Sequence, residues 1–220
     1  MATIDIQGPA GRLEGLLEPV ERPRFAALVC HPHPQQGGTM HTHATYRLAR
    51  AARASGGVSL RFNYRGVGRS AGSYGRLAGE SEDALAALDL LAARFPALPR
   101  LASGFSFGAF AALSAGLRDA GVRGFLLAGL VVRPYDELPR DLEPLRRSPL
   151  PCAVVQARFD QLGSPDEVQG ALLGSAGPRR VAAVEGATHL FTEELDALER
   201  EAEGAFGWLL EAAGIPAGGA

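Results

Sequence analysis

A serine placed between two glycines is the pattern with the clearest chemical meaning in this sequence. The segment Gly104-Phe105-Ser106-Phe107-Gly108 has the form G-x-S-x-G and lies between a predicted strand and a predicted helix. Such a turn exposes the serine hydroxyl at the carboxyl edge of a sheet, and the first amides of the helix face developing negative charge. We therefore predict Ser106 as a nucleophile and the Phe107 amide as an oxyanion donor. Ser103 is expected only to pack inside the strand.

A nucleophilic serine requires a general base, and the base requires an acid that orients it. His189 is the only histidine after Ser106, and it follows the last predicted strand. Asp160 follows the preceding predicted strand, where its carboxylate could accept the imidazole Nδ1–H. The sequence thus predicts a triad of Ser106, Asp160 and His189. Three other acids are weaker candidates: Asp136, Asp166 (which fits the first turn of a helix) and Glu185 (which could support His189).

The segment His31-Pro32-His33-Pro34 follows the first central strand and is where a second oxyanion donor is expected. Pro34 has no N–H group, so the amide of His33 is the first choice. An alternative interpretation is a metal site, because His-x-His pairs can bind Zn²⁺. However, no H-E-x-x-H spacing occurs, and no carboxylate lies between Glu21 and Glu80. We therefore expect neither a catalytic metal nor a cofactor. The histidines of the alternative site are His31, His33, His41 and His43.

Strand and helix patterns alternate from residue 25 onward, which predicts an α/β fold with a mostly parallel central sheet flanked by helices. Two earlier strands predict an antiparallel edge. The predicted strands are 3–7, 12–18, 25–30, 58–63, 100–105, 122–130, 152–157 and 179–185, and the predicted helices are 40–54, 79–95, 107–120, 165–173 and 193–213. Ligands bind at the carboxyl ends of such strands. We expect one domain over residues 1–213 and a flexible tail over residues 214–220.

Composition narrows the function classes further. All 22 basic residues of the 220-residue chain are arginine, which excludes chemistry that needs a lysine amine, such as a Schiff base or a P-loop. The net charge of −2 gives no reason to expect nucleic acid or a membrane as a partner. Cys30 and Cys152 are too few for a disulfide framework. Since neither a signal-peptide pattern nor a membrane-spanning run is present, we expect a cytoplasmic protein.

Five segments, taken in chain order, resemble a known family. They are HPHPQQGGTMHTH, RFNYRGVGRSAGSYG, GFSFGA, FDQLGSP and GATHLF. The chain resembles the small bacterial α/β-hydrolases with a minimal cap, which are serine aminopeptidase-like and more distantly dienelactone hydrolase-like. The resemblance implies the α/β-hydrolase fold and the same triad of Ser106, Asp160 and His189. The sequence departs from dienelactone hydrolases, whose nucleophile is a cysteine. Arg65 of the second segment is expected to anchor its loop rather than bind substrate.

The stretch over residues 131–150 is too short for the helical cap domain that covers many such sites. We therefore expect an open site that accepts small esters, so a carboxylesterase with a small-molecule substrate is the leading hypothesis. A peptidase of the serine aminopeptidase type and a non-catalytic binding module are the alternatives, and a homodimer is compatible with each. The residues expected to line an acyl or alcohol pocket are Met40, Phe107, Val131, Val132, Pro134, Tyr135, Leu190 and Phe191.

Overall fold

Eight strands form one sheet in the part of the chain that the computed structural model describes, residues 2–136 and 140–216. The strands are β1 (Ala2–Gly8), β2 (Gly11–Glu18), β3 (Phe25–Cys30), β4 (Gly57–Phe62), β5 (Arg100–Phe105), β6 (Val122–Ala128), β7 (Cys152–Ala157) and β8 (Arg179–Val184). Their spatial order is β1-β2-β4-β3-β5-β6-β7-β8. β2 pairs antiparallel with β1 and β4, and the remaining pairs are parallel. The predicted α/β class and its antiparallel edge are therefore confirmed.

Helices cover both faces of this sheet. They are α1 (His43–Ala54), α2 (Ala78–Arg94), α3 (Phe107–Gly116), α4 (Glu143–Arg147), α5 (Pro165–Ala171) and α6 (Leu195–Ala212). Alternate residues of β3 enter two different apolar clusters, one with α1 and α6 and the other with α2 and α3. Since side chains alternate across a strand, these clusters lie on opposite faces. Within the described residues, every helix is too short or too polar to cross a membrane.

Several element ends differ from the predicted ones, and two of these differences have local causes. α1 begins at His43 rather than at residue 40, because the Thr42 amide bonds to the Thr39 carbonyl at 3.0 Å and closes a turn. β6 ends at Ala128 rather than at residue 130, since Gly129 turns the chain with a φ of 56°. α3 ends at Gly116, four residues earlier than predicted. The five-residue helix α4 has no sequence periodicity that would predict it.

The register of the parallel strands decides which loops meet at the carboxyl edge of the sheet. Cys30 of β3 pairs with Gly104 of β5, so the loop after residue 30 emerges beside the turn that carries Ser106. Ala157 of β7 pairs with Val184 of β8, so the loops after these two strands also emerge side by side. This pairing brings four separate segments of the chain to one edge.

The chain remains packed on the domain beyond α6. Ile215 is buried in the cluster formed with α1 and α6, and the Arg24 Nε donates a hydrogen bond to the Pro216 carbonyl at 2.9 Å. The first part of the predicted tail, residues 214–216, is therefore attached to the domain. The rest of that tail, residues 217–220, lies outside the described residues.

Candidate active site

Ser106 occupies a strained turn between β5 and α3. Its backbone has φ 54° and ψ −117°, in the left-handed half of the map that non-glycine residues rarely adopt. Such a conformation costs about 1–3 kcal/mol and persists only where neighbouring structure enforces it. Here the Ser106 amide donates a hydrogen bond to the Ala128 carbonyl at 2.9 Å, at the end of β6. The adjacent strand therefore holds the serine at the edge of the sheet.

The two glycines of the motif are required by close backbone approaches. A Cβ atom on Gly104 would lie 2.1 Å from the Gly108 carbonyl oxygen, and one on Gly108 would lie 2.4 Å from the Cys30 carbonyl oxygen. Both neighbours are backbone atoms, which cannot rotate away as a side chain can. The G-x-S-x-G pattern is thus a packing requirement of the turn and of the adjacent end of β3.

We expect the Gly104→Ala variant to be destabilised by about 3 kcal/mol or more, since the added methyl group overlaps backbone atoms. Urea denaturation followed by circular dichroism measures this change. Gly204→Ala in α6 is the matched control. Nothing lies within 4 Å of a Cβ added there, so this variant should be more stable than wild type by about 0.5–1 kcal/mol. Equal stability of the two variants would contradict this account of the motif.

The structure brings Ser106, His189 and Asp160 together in one hydrogen-bonded chain. The His189 Nε2 lies 2.9 Å from the Ser106 Oγ, and the His189 Nδ1 lies 2.8 and 3.0 Å from the two Asp160 carboxylate oxygens. His189 and Asp160 are buried, whereas Ser106 is half-buried. Because an ionised carboxylate only accepts, the Nδ1 carries the imidazole proton, and the Nε2 can accept the serine proton.

Gln156 on β7 supports the acid in a way that sequence reasoning missed. Its Nε2 donates to Asp160 Oδ2 at 2.9 Å, and its Oε1 accepts from the Leu130 amide at 2.8 Å. The Leu162 amide donates to Asp160 Oδ1 at 2.9 Å. Gln156 therefore links the acid to the end of β6. A fully buried glutamine inside the apolar strand CAVVQA was the available signal, since buried polar groups need partners.

Two of the three weaker acid candidates form ion pairs, and the third lies at the start of a helix. Glu185 forms an ion pair with Arg158 at 2.6 Å, and Asp136 forms one with Arg140 at 2.6 Å. Asp166 lies in the first turn of α5, as its sequence context indicates. Among these acids and Asp160, the structure places only Asp160 against His189.

Phe107 and His33, the two predicted oxyanion residues, contact each other near Ser106. Phe107 is the first residue of α3, where a backbone amide has no acceptor within its own helix. The rings of His33 and Phe107 contact edge to face, with centroids 4.9 Å apart. His33 precedes a short 3-10 turn over Pro34–Gln36 and accepts the Gln35 amide on its Nδ1. Burial lowers the pKa of His33 below its usual value, which favours the neutral ring that this bond requires.

The four histidines of the alternative metal site have separate environments. His31 is fully buried against Tyr64, and the His33 Nε2 faces the Tyr74 hydroxyl at 3.1 Å. His41 and His43 are exposed. Across residues 2–136 and 140–216, His, Cys, Asp and Glu side chains form no group of three or more that could hold a metal ion.

A cavity of about 220 Å³ opens beside Ser106 and His189. Its other lining residues are Pro32, His33, Gln36, Gly37, Gly38, Thr42, His43, Ala44, Phe105, Leu190 and Thr192. Leu190 was expected in the pocket and lines it. A larger cavity of about 430 Å³, which includes Leu77 and Leu113 in its walls, contains none of the predicted site residues.

Seven of the eight predicted lining residues do not line this cavity, which corrects those predictions, and Phe107 is one of the buried ones. Met40 and Phe191 are buried in the protein interior; Phe191 packs against Phe105, whose ring in turn faces His189. Val131 and Tyr135 line a neighbouring cavity, together with Val132 and Pro134. Apolar character alone does not distinguish a pocket wall from the core that supports it. Tyr135 still reaches the site indirectly, since its hydroxyl accepts a hydrogen bond from Gln36 Nε2 at 3.1 Å.

Arg65 anchors its loop, as expected. Its Nη2 and Nε donate to the two oxygens of Asp83 at 2.7 and 3.0 Å, and its backbone amide donates to the same carboxylate at 2.8 Å. Asp83 is fully buried on α2. This fork-shaped contact fastens the glycine-rich loop to the helix, and Arg65 does not line the cavity beside Ser106.

A mostly parallel sheet that carries a serine on a strained turn, hydrogen bonded to a histidine and a buried aspartate, defines the class of α/β serine hydrolases. The chain belongs to the hydrolase family described as serine aminopeptidase, S33, whose model matches residues 23–150. The matched region includes Ser106 and ends before Asp160 and His189.

Similar proteins cover most of the chain. A protein of unknown function from Agrobacterium tumefaciens is 30% identical, with a TM-score of 0.84 over 99% of this chain and 100% of that chain. A serine hydrolase without lid from Xanthomonas campestris is 26% identical, with a TM-score of 0.79 over 99% of this chain and 96% of that chain. An uncharacterized protein of Rickettsia prowazekii (strain Madrid E) is 36% identical over 171 residues, which are 77% of this chain and 71% of that protein.

Proposed function

We propose that this hydrolase is a carboxylesterase that cleaves small esters through an acyl-enzyme intermediate on Ser106. The observation that carries the proposal is the chain of contacts from the Ser106 Oγ through His189 to the buried Asp160. This arrangement allows the imidazole to take the serine proton as the hydroxyl oxygen attacks a carbonyl carbon. Asp160 holds the ring in the required tautomer and stabilises the positive charge that forms on it.

The reaction then proceeds in two halves. The tetrahedral intermediate places its negative oxygen between the amides of Phe107 and His33, which we assign as the oxyanion donors. His189 returns its proton to the leaving alcohol, and the acyl group stays on Ser106. In the second half His189 accepts a proton from water, whose oxygen attacks the acyl carbonyl. His189 then returns that proton to the Ser106 Oγ as the acyl–oxygen bond breaks and the acid leaves. No lysine and no cofactor is needed at any step.

The lining of the cavity supports an ester rather than a peptide with a free amino terminus. An aminopeptidase must hold a substrate ammonium group, for which a carboxylate is the usual partner. None of the described residues that line the cavity is Asp or Glu. The cavity volume of about 220 Å³ also lies below the range of about 300–1,000 Å³ that is common for drug-sized ligands. Both features favour a small, uncharged acyl group.

The substrate preference can be measured with p-nitrophenyl esters of increasing acyl length. We expect kcat/KM to be highest for acetyl to butyryl esters and to fall for longer chains, because the cavity beside Ser106 is small. The matched peptide substrates are aminoacyl p-nitroanilides, which should be turned over much more slowly. A maximum at octanoyl or longer esters would contradict a small acyl pocket, and preferential cleavage of the anilides would favour the peptidase.

Labelling by a fluorophosphonate separates an enzyme from a non-catalytic binding module with this fold. The probe reacts only with a serine that a neighbouring base activates. We expect one label on Ser106 and none after Ser106→Ala. An unlabelled wild-type protein would favour the binding module.

A further inference from the structure

His31 is a fully buried histidine that the proposed reaction does not use. It directly follows β3 and lies two residues before His33 in the chain. Its Nδ1 lies 2.7 Å from the Pro32 carbonyl oxygen, and its Nε2 lies 3.3 Å from the Tyr64 amide nitrogen. The Tyr64 ring covers the imidazole, with centroids 4.2 Å apart. His31 therefore connects the Pro32 carbonyl to the chain just after β4.

The two contacts decide where the proton of His31 lies. The Tyr64 amide can only donate, so the Nε2 must be the unprotonated nitrogen that accepts. The Pro32 carbonyl can only accept, so the Nδ1 must carry the hydrogen. A doubly protonated ring would direct a second N–H at the Tyr64 amide. Burial lowers the pKa of His31 to about 3, which agrees with a ring that stays neutral.

The Pro32 carbonyl and the His33 N–H belong to the same peptide unit. This unit is planar and trans, since the described residues contain no cis peptide bond, so its C=O and N–H point in opposite directions. A donor that holds the carbonyl on one side therefore fixes the direction of the His33 N–H on the other. Gly38 packs on the same carbonyl, because a Cβ there would lie 2.2 Å from the Pro32 oxygen.

We infer that His31 is a positioning residue of the oxyanion hole: its Nδ1–H holds the Pro32–His33 peptide so that the His33 amide faces the reacting carbonyl oxygen. This inference rests on the proposed function, in which the His33 amide is the second oxyanion donor. Electrostatic stabilisation of this kind depends on donors that are oriented before the charge develops. The imidazole supplies that orientation without touching the substrate.

Two variants separate the two contacts of His31. In His31→Asn, the side-chain amide can occupy the position of the Nδ1–H and donate to Pro32, while the Tyr64 amide loses its acceptor. In His31→Gln, the longer side chain can accept from Tyr64, while the Pro32 carbonyl loses its donor. Each variant removes one buried hydrogen bond, so both variants should be destabilised by a similar amount. Thermal unfolding of the two variants checks this.

We expect His31→Gln to lower kcat on p-nitrophenyl acetate by about 10–100-fold, less than the roughly 10²–10³ for complete loss of an oxyanion donor. KM should stay within about twofold, and His31→Asn should keep kcat within about threefold of wild type, since the donor is retained. Affinity for an alkyl boronic acid, whose tetrahedral adduct places an oxygen in the oxyanion hole, should fall in His31→Gln by the same factor as kcat/KM.

Equal losses of kcat in the two variants, or a loss in His31→Gln that appears in KM while boronate affinity is kept, would show that His31 is only structural. Unchanged kinetics in both variants would also overturn the inference. The Ser106→Ala variant distinguishes a failure of the role of His31 from a failure of the proposed function. If Ser106→Ala is inactive and His31→Gln is normal, only the role of His31 fails. If Ser106→Ala is fully active, the proposed function fails.

Discussion

Replacing Ser106 by alanine will lower ester turnover by several orders of magnitude, on the order of 10⁶-fold if the three residues act as a unit. The physical reason is that the variant lacks the hydroxyl that forms the acyl bond. The serine oxygen lies 2.9 Å from the only imidazole that is held by a buried carboxylate in the described part of the chain. Initial rates on p-nitrophenyl acetate, corrected for spontaneous hydrolysis, measure the loss.

The control for this substitution is Ser114→Ala on α3, the helix that follows Ser106. Ser114 is exposed and does not line the cavity beside His189, so turnover should remain at the wild-type level. Fold integrity of both variants is checked by circular dichroism. If Ser106→Ala retained more than about one-hundredth of wild-type turnover, the residue could not be the nucleophile, because removal of a triad nucleophile costs far more.

Asp160→Asn should reduce kcat by about 10⁴-fold with little change in KM, because the imidazole would adopt the wrong tautomer. Three donors surround the carboxylate: the His189 Nδ1, the Gln156 Nε2 and the Leu162 amide. A carboxylate accepts from all three, whereas an asparagine must direct its own NH₂ group at one of them. The His189 Nε2 would then hold the proton and could no longer accept one from Ser106.

Asp166→Asn is the matched control for the acid. Asp166 is a carboxylate six residues after Asp160, in the first turn of α5. The hydrogen bonds described for the His189 ring go to Asp160 and Ser106. We expect turnover close to that of wild type and at most a small loss of stability from the helix terminus. Should the two aspartate variants be equally active, or should Asp166→Asn be the impaired one, the assignment of the acid would have to change.

The class of fold was accessible from the sequence because its signals are local. The apolar run 25–30 is buried at every position as β3, and the predicted strands 100–105 and 152–157 match β5 and β7 residue for residue. Element ends were less accessible, because single turn hydrogen bonds set them, as at the turn before α1. The helix α4 has only five residues, too few for a periodic pattern to show.

The predicted pocket residues show where local reasoning stops. Met40 and Phe191 are as apolar as a pocket wall requires, but Met40 is held in the interior by hydrogen bonds of its backbone to Asn63 and Arg61. Leu190, next to Phe191 in the chain, is mostly exposed and lines the cavity. Phe191 has a positive φ of 58°, and its amide bonds to the Thr188 carbonyl at 2.9 Å, which closes a turn at this point. Adjacent residues of similar hydrophobicity therefore have opposite positions.

The sequence by itself determined the reaction chemistry that this chain can support: a serine in a G-x-S-x-G turn, one histidine after it, an acid after the preceding strand, and no lysine. These features are residue types in a given order along the chain, so they do not depend on which residues come into contact. Only the tertiary structure decided which acid meets His189, that Gln156 holds that acid, and that His31 faces the Pro32 carbonyl. These contacts join residues through strand register and peptide orientation, which depend on packing across the whole sheet and are not encoded in any short segment.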